Sequence, residues 1–264
     1  MTVLRSKDNP RVRRWAKLAR DVRLRRSERC ALIEGAHLVS AWLDRHGPPA
    51  ALIASEAGLE KPEIAQLVRR CGLQAVMLDD RLFRAVADVE SPAGIAAEIR
   101  IPSSGAALET SPSCVFLEAI QDAGNVGAIL RSAAAFGVRD AVLSRGCADA
   151  WSPKALRAGM GGQFVLNVVE HVDLEEEIEK FDGSTLCTVA RGGVHLGQVE
   201  LGARVGWIFG AEGRGVGERI AALATARVTI PMPGAMESLN VAAAAAICLY
   251  ETARRSLDRM KGKS

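Results

Sequence analysis

Aromatic side chains are scarce in this chain, with one Tyr, four Trp and six Phe in 264 residues, or 4%. Surfaces that hold single-stranded bases by stacking present rows of rings, so base contact here rests on few side chains or on arginine. The six cysteines, at positions 30, 71, 114, 147, 187 and 248, form no CxxC, and no Cys/His spacing fits a zinc site. They read as reduced thiols of a cytosolic protein. His37, His46, His171 and His195 are scattered, and no metal is expected. Long apolar runs are also missing. The most apolar stretch, residues 241–250, is mostly alanine and far shorter than the roughly 20 residues that cross a bilayer. The first seven residues lack the apolar segment of an export signal. The expectation is a cytoplasmic protein with no membrane partner. Neither GxxxxGK[ST] nor GxGxxG occurs, so neither the P-loop nor the dinucleotide fingerprint is available as an explanation.

What is present is ordinary for a folded protein: 48% apolar and 25% charged residues. The length suits two cores. The net charge of +3 hides an asymmetry, because residues 1–29 hold eleven Lys/Arg and three acids. A focused basic segment is an electrostatic footprint for phosphate backbones, with a solvated helical face as the alternative. Val12, Trp15, Ala16, Ala19 and Val22 recur at helical spacing, and Asn9-Pro10 supplies a cap followed by proline. The spacing predicts an amphipathic helix over 10–26, one side packed and the other basic, with Arg11, Arg13, Arg14 and Lys17 as candidates to meet phosphates.

Residues 30–100 alternate short apolar runs with helical patterns, which predicts a small α/β/α domain. Residues 101–113 are rich in Pro, Ser and Gly and read as a linker. From residue 114 a βα pattern repeats. Strands are expected at 114–119, 140–144, 165–170, 185–190, 205–210 and 227–231, and helices at 125–137, 152–159, 173–181, 215–223 and 239–257. Strands apolar on both faces imply a buried parallel sheet of the doubly wound kind. Periodicity leaves the strand order open. The domains expected are therefore 1–100, a linker 101–113, and 114–264.

Three turns of the C-terminal half follow apolar runs and carry polar side chains. They are Asn125-Val-Gly-Ala-Ile-Leu-Arg131, Phe209-Gly-Ala-Glu-Gly213 and Ile230-Pro-Met-Pro-Gly-Ala-Met-Glu-Ser-Leu-Asn240. Open α/β sheets bind ligands at such strand ends, so the three predict one composite site. Their order and residue types resemble the SpoU (TrmH) family of RNA ribose methyltransferases, within the SPOUT superfamily. Ser152-Pro-Lys-Ala-Leu-Arg157-Ala-Gly-Met-Gly161 resembles the family's stretch after its second strand. Asn9-Pro10-Arg-Val and Leu32-Ile-Glu-Gly35-Ala-His-Leu-Val resemble its RNA-binding domain. Two positions depart from the pattern: Ala123-Gly124 stands where proline is common, and Ala242 where serine is common. Neither removes a chemical group the reaction needs.

The resemblance implies a C-terminal SPOUT-type sheet with a trefoil knot, a homodimer sharing its active sites, and S-adenosylmethionine as cofactor. It implies that Gly210, Ile230 and Leu239 hold the adenosyl group, largely through backbone. Asn125, Arg131, Glu212, Ser238 and Asn240 furnish the polar chemistry of methyl transfer to a ribose 2′-hydroxyl. Arg131 meets that hydroxyl as base or, more in keeping with a guanidinium pKa above about 12, as an electrostatic stabiliser, oriented by Glu212. The substrate is structured RNA, ribosomal or transfer. A non-catalytic RNA-binding or ribosome-associated protein that keeps the fold is the alternative, and a base methyltransferase is a third reading.

Overall fold

Asn9 and Asp21 decide how the basic segment folds. The computed structural model describes residues 3–87, 89–103 and 108–261. After a two-residue strand, β1 (Val3–Leu4), the Asn9 side chain accepts from the Arg11 N–H and starts α1 (Pro10–Arg20). The sequence predicts one helix through residue 26, but it breaks at Asp21. The Asp21 carboxylate accepts from the N–H groups of Arg23 and Leu24 and begins α2 (Val22–Glu28). A short acid that bonds backbone N–H groups a few positions on competes with helix continuation. The packed face of α1 is Val12, Trp15, Leu18 and Ala19.

The remaining elements of this unit are β2 (Cys30–Glu34), α3 (Ala36–His46), β3 (Ala51–Ser55), α4 (Glu56–Leu59), α5 (Pro62–Cys71), β4 (Val76–Leu78), α6 (Asp80–Ala87) and β5 (Ile95–Arg100). The sheet order is β1-β4-β3-β5-β2. Strand β5 runs antiparallel to both neighbours, while β1, β3 and β4 are mutually parallel. Val12, Trp15 and Leu18 share a core with Ile53, Leu78, Phe83 and Val86. Of the expected linker, residues 104–107 lie outside the described residues. Leu108 beyond them is buried in a short 3₁₀ turn.

The second unit contains β6 (Ser113–Leu117), α7 (Ala123–Ala135) and β7 (Asp140–Ser144). After α8 (Pro153–Gly159) come β8 (Asn167–Val172), α9 (Leu174–Glu179), β9 (Ser184–Thr188), β10 (Val194–His195), β11 (Val205–Phe209), α10 (Glu218–Leu223), β12 (Ala226–Thr229) and α11 (Val241–Lys261). All strand pairs are parallel, in the order β10-β12-β9-β11-β6-β7-β8. This is the α/β architecture with a parallel C-terminal sheet that the sequence predicts. The buried strand β11 and the last four residues of β6 form the centre, whereas β8 at one edge is half-buried throughout.

The order has a functional consequence. From β6 the chain lays β7 and β8 to one side, then returns to place β9 beyond β11. The direction of winding therefore reverses between β6 and β11, and ligand crevices open at the carboxyl ends of strands at such a point. From β12 near the far edge, α11 returns to pack on α7 and β11. Trp207 donates to Thr252 at 3.0 Å, and Arg255 donates to the carbonyls of Val199 and Leu196 at 2.7 and 2.6 Å. Hydrogen bonds from Arg254 and then Arg255 hold the Glu251 carboxyl down at about 2.

Residues Trp151–Phe164, which include α8, belong with the first unit rather than the second. There α8 packs on β2. Trp42 stacks on His46 at 4.3 Å and meets Phe164 edge-on at 5.2 Å.

Candidate active site

The loop after β6 turns sharply. Ala119 sits at φ 52°, in the left-handed region, and its N–H donates to Ser144 Oγ at 2.9 Å. A non-glycine residue held there costs roughly 1–2 kcal/mol, and such strain gathers at functional sites. Asp122 then caps α7 by accepting from the Asn125 N–H at 3.0 Å. This places Asn125 in the first turn of the helix, at the mouth of the crevice.

Asn125 links the three strand-end turns. Its Nδ2 donates to Glu212 Oε1 at 2.7 Å, and its Oδ1 accepts from Asn240 Nδ2 at 3.1 Å. Asn240 in turn accepts from the N–H groups of Ala242 and Ala243 at the start of α11. The donor pattern fixes both amides. A carboxylate only accepts and a backbone N–H only donates, so Nδ2 of Asn125 faces Glu212 and Oδ1 of Asn240 faces the helix.

The loop after β11 is closed on itself. The Gly215 N–H donates to the Ala211 carbonyl at 2.9 Å, and Gly213 and Gly215 take positive φ. Gly210 is buried, and a Cβ there would lie 2.1 Å from the Gly215 carbonyl carbon. The sequence suggests that glycine serves ligand approach; the structure adds that the loop's own closure requires it.

The other expected site residues stand apart from this hydrogen-bonded group. Arg131 is exposed on α7 and has no partner among the described residues, so Glu212 meets Asn125 rather than Arg131. Ser238 is also exposed. Ile230 is half-buried and Leu239 is 40% exposed. Two apolar side chains and a glycine turn are, by their chemistry, a set that suits a neutral purine ring better than a charged group. The glycine loop offers no lysine for a triphosphate. The residues present thus fit an adenosyl group.

In the first unit, the Arg11 guanidinium lies 5.0 Å from the Trp15 ring centroid, and the exposed Arg13 side chain has no partner among the described residues. Lys17 is 3.7 Å from Asp21. Arg14, grouped with these in the sequence, turns inward. It pairs with Glu28 and with Glu98 at 2.6 Å, and Trp15 Nε1 donates to the same Glu98 oxygen at 2.8 Å. Its charge is therefore met within the protein.

Sequence reasoning gave no role to Glu118, which reaches from the end of β6 to the end of the β11 loop, with Oε2 2.7 Å from the Gly217 nitrogen. The residue is visible inside the first motif; its target is not. Among the described residues no His, Cys, Asp and Glu group could hold a metal. Burial pushes the Cys114 thiol well up and Cys248 to about 12, so these sulfurs are poor nucleophiles. Among the described residues no helix is long and apolar enough to cross a membrane.

Comparison with known proteins places this geometry. Residues 112–250 match the SpoU rRNA Methylase family, and residues 9–97 match the MRM3-like substrate binding domain. The chain is 32% identical to the 23S rRNA (guanosine(2553)-2′-O)-methyltransferase of Bacillus subtilis, covering 95% of this chain and 98% of that one. It is also 32% identical to the 23S rRNA (adenosine(1067)-2′-O)-methyltransferase of Streptomyces laurentii, covering 72% and 73%. Among solved structures it resembles the AdoMet-bound rRNA methyltransferase of Sinorhizobium meliloti, with TM-score 0.82, 25% identity and coverage of 97% and 98%. Fold, site and relatives together define the class, an S-adenosylmethionine-dependent RNA ribose 2′-O-methyltransferase. Within that class the chain belongs to the SpoU rRNA methylase family.

Proposed function

We propose that this enzyme methylates ribose in ribosomal RNA, in the cytoplasm, as a homodimer. Residues 1–100 bind the RNA, 101–113 connect, and 114–264 carry the chemistry on a knotted sheet, apart from Trp151–Phe164, which belong with the first unit. The observation that carries the reading is the chain Glu212–Asn125–Asn240, which joins three separate turns at the switch point of the sheet. The names of the relatives support ribosomal over transfer RNA. The return of α11 from β12 onto α7 and β11 accords with the family's knot.

The bound cofactor supplies a methyl group already electrophilic enough to need no metal. Gly210, Ile230 and Leu239 hold its adenosyl portion. Asn125, Glu212 and Asn240 lock the three turns to one another, which would hold ribose and cofactor in one fixed arrangement. Arg131 would bond the 2′-oxygen and stabilise its developing negative charge while the 2′-proton passes to solvent water. Ser238, on the same loop as Asn240, bonds the ribose or its phosphate. Arg11, Arg13 and Lys17 contact RNA phosphates. Arg14 acts with them only through the helix it braces.

Three features support the homodimer. Helix α11 has a second apolar stripe, with Ile247 39%, Tyr250 55% and Leu257 54% exposed. Met236 in the third turn is 75% exposed. Arg131 stands open in the single chain, as a group completed by a second protomer and by RNA would. Sedimentation of the active enzyme as a monomer at micromolar concentration would remove the shared site.

The substrate is tested by mapping 2′-O-methylated riboses in RNA from cells with and without this protein. We expect one ribosomal position to lose its mark. A loss confined to transfer RNA, or no loss, would overturn the assignment.

A further inference from the structure

The geometry points to Glu118 as a positioning residue that holds the cofactor loop 210–217 closed at its neck. The inference rests on the placement of the cofactor against Gly210, Ile230 and Leu239. The backbone N–H of Glu118 donates to the Phe209 carbonyl at 2.9 Å, immediately before the loop begins. Its side chain spans the mouth, and Oε2 accepts from the Gly217 N–H at 2.7 Å, where the loop ends. One residue therefore fixes both ends. Inside the loop, Gly215 bonds Ala211 and Glu212 bonds Asn125. Those two bonds shape the loop, while Glu118 sets its width.

The neck is built for this side chain. Gly217 precedes α10 and that helix has no side-chain cap of its own. A Cβ on Gly217 would lie 2.9 Å from Glu118 Oε1, so glycine leaves the carboxylate its place. Hydrogen bonds from a peptide N–H to a carboxylate are stronger than neutral ones. Releasing this one lets the loop sample wider forms, and cofactor affinity falls by the fraction of time the loop is correctly closed. Arg131 and the RNA surface are untouched.

The test is calorimetric titration of S-adenosylmethionine into the full-length protein, beside methyl transfer to total ribosomal RNA from cells lacking it. Glu118→Ala is expected to weaken cofactor binding at least about tenfold. At saturating cofactor, kcat and the KM for RNA should stay within about threefold of wild type, the pattern of lost uniform binding. Glu118→Gln keeps an oxygen that accepts from Gly217 and should bind within about threefold of wild type. A residue that merely stabilises α10 would lower Tm without this split. Leu239→Arg, on a different loop, reports on the pocket itself. If Leu239→Arg loses cofactor and folded Glu118→Ala does not, the positioning role is overturned and the pocket stands. If neither loses it, the pocket falls and the role with it. Equal loss in Glu118→Ala and Glu118→Gln also overturns the hydrogen bond to Gly217. Should Glu118→Ala fail to fold, Gly217→Ala, which displaces the carboxylate, must show the same tenfold loss.

Discussion

Around Glu98 and around Asn125 the protein gathers similar groups and treats them oppositely. The Glu98 side chain is 11% exposed, and Arg14 and Trp15 both close on one of its oxygens. Glu212 and Asn240 are exposed, and with Asn125 they form a chain whose outer faces stay open to solvent. Burial makes an unpaired charge costly, so the first cluster is closed and structural. The second is only partly satisfied from within, which leaves donors and acceptors for a ligand. Charge in a motif-rich segment thus has two destinies, and the partner decides which.

The largest expected effect would break the first cluster. Glu98→Ala should cost about 3 kcal/mol of stability, since Arg14 and Trp15 lose a buried acceptor. Denaturant melts measure it, and cofactor affinity of the folded variant should not change. The pH dependence has a definite sign. Burial raises the Glu98 carboxyl, but the hydrogen bonds from Arg14 and Trp15 outweigh it and hold the group below 4.5. Its stabilisation is complete above about pH 4.5 and fades as pH falls through the lowered value. Glu98→Gln should flatten that acid limb. An unaltered limb would mean that other carboxylates govern acid unfolding.

The second test sharpens the contrast from the other side. Arg131→Ala should lose methyl transfer about a hundredfold, some 2.7 kcal/mol, with stability and cofactor binding near wild type. Arg131→Lys should also fail, because an ammonium lacks the planar fork. Single-turnover methylation with a parallel cofactor titration decides. Near-normal turnover would take arginine out of the mechanism.

A smaller effect divides one helix. Reversing Arg11, Arg13 and Lys17 to glutamate should weaken RNA binding about tenfold and make its log–log salt slope shallower by about 2. Reversing Arg14 instead should act chiefly on the melt. If Arg14 alone flattens the slope while stability holds, the division between closed and open charge fails on α1.

The smallest expected effect concerns Ala119. Glycine removes a left-handed cost of roughly 1–2 kcal/mol but adds about 0.5–1 kcal/mol of unfolded-state freedom. Ala119→Gly should therefore stabilise by about 0.5 kcal/mol, seen as a higher midpoint at unchanged m-value. A lower midpoint would show that the alanine methyl packs favourably.

Most long elements were legible because their apolar period is strong. The strands around 140–144 and 205–209 follow from buried, unbroken runs, and the C-terminal helix from its run of alanines. Strands β1 and β10 were not, since two residues carry no period. The break at Asp21 was missed because an apolar stripe does not reveal that a side chain will bond nearby backbone instead. The three motif turns could be read as one site from residue type and order. Which groups touch could not: the inward turn of Arg14 and the reach of Glu118 to Gly217 depend on strand order, which periodicity does not encode.

The placement of Trp151–Phe164 with the first unit has a bearing on how this protein can be taken apart. A cut at residue 113 respects the written order of the chain but not its cores. The C-terminal product would carry the buried Trp151, Leu156 and Phe164 away from the unit to which they belong. The N-terminal product would keep Trp42 and lose the ring that covers its edge. Each half would expose apolar surface that the intact chain hides, so two soluble modules are not what scission yields. A recombined chain would have to exchange this segment along with the first unit, although it is written in the middle of the second.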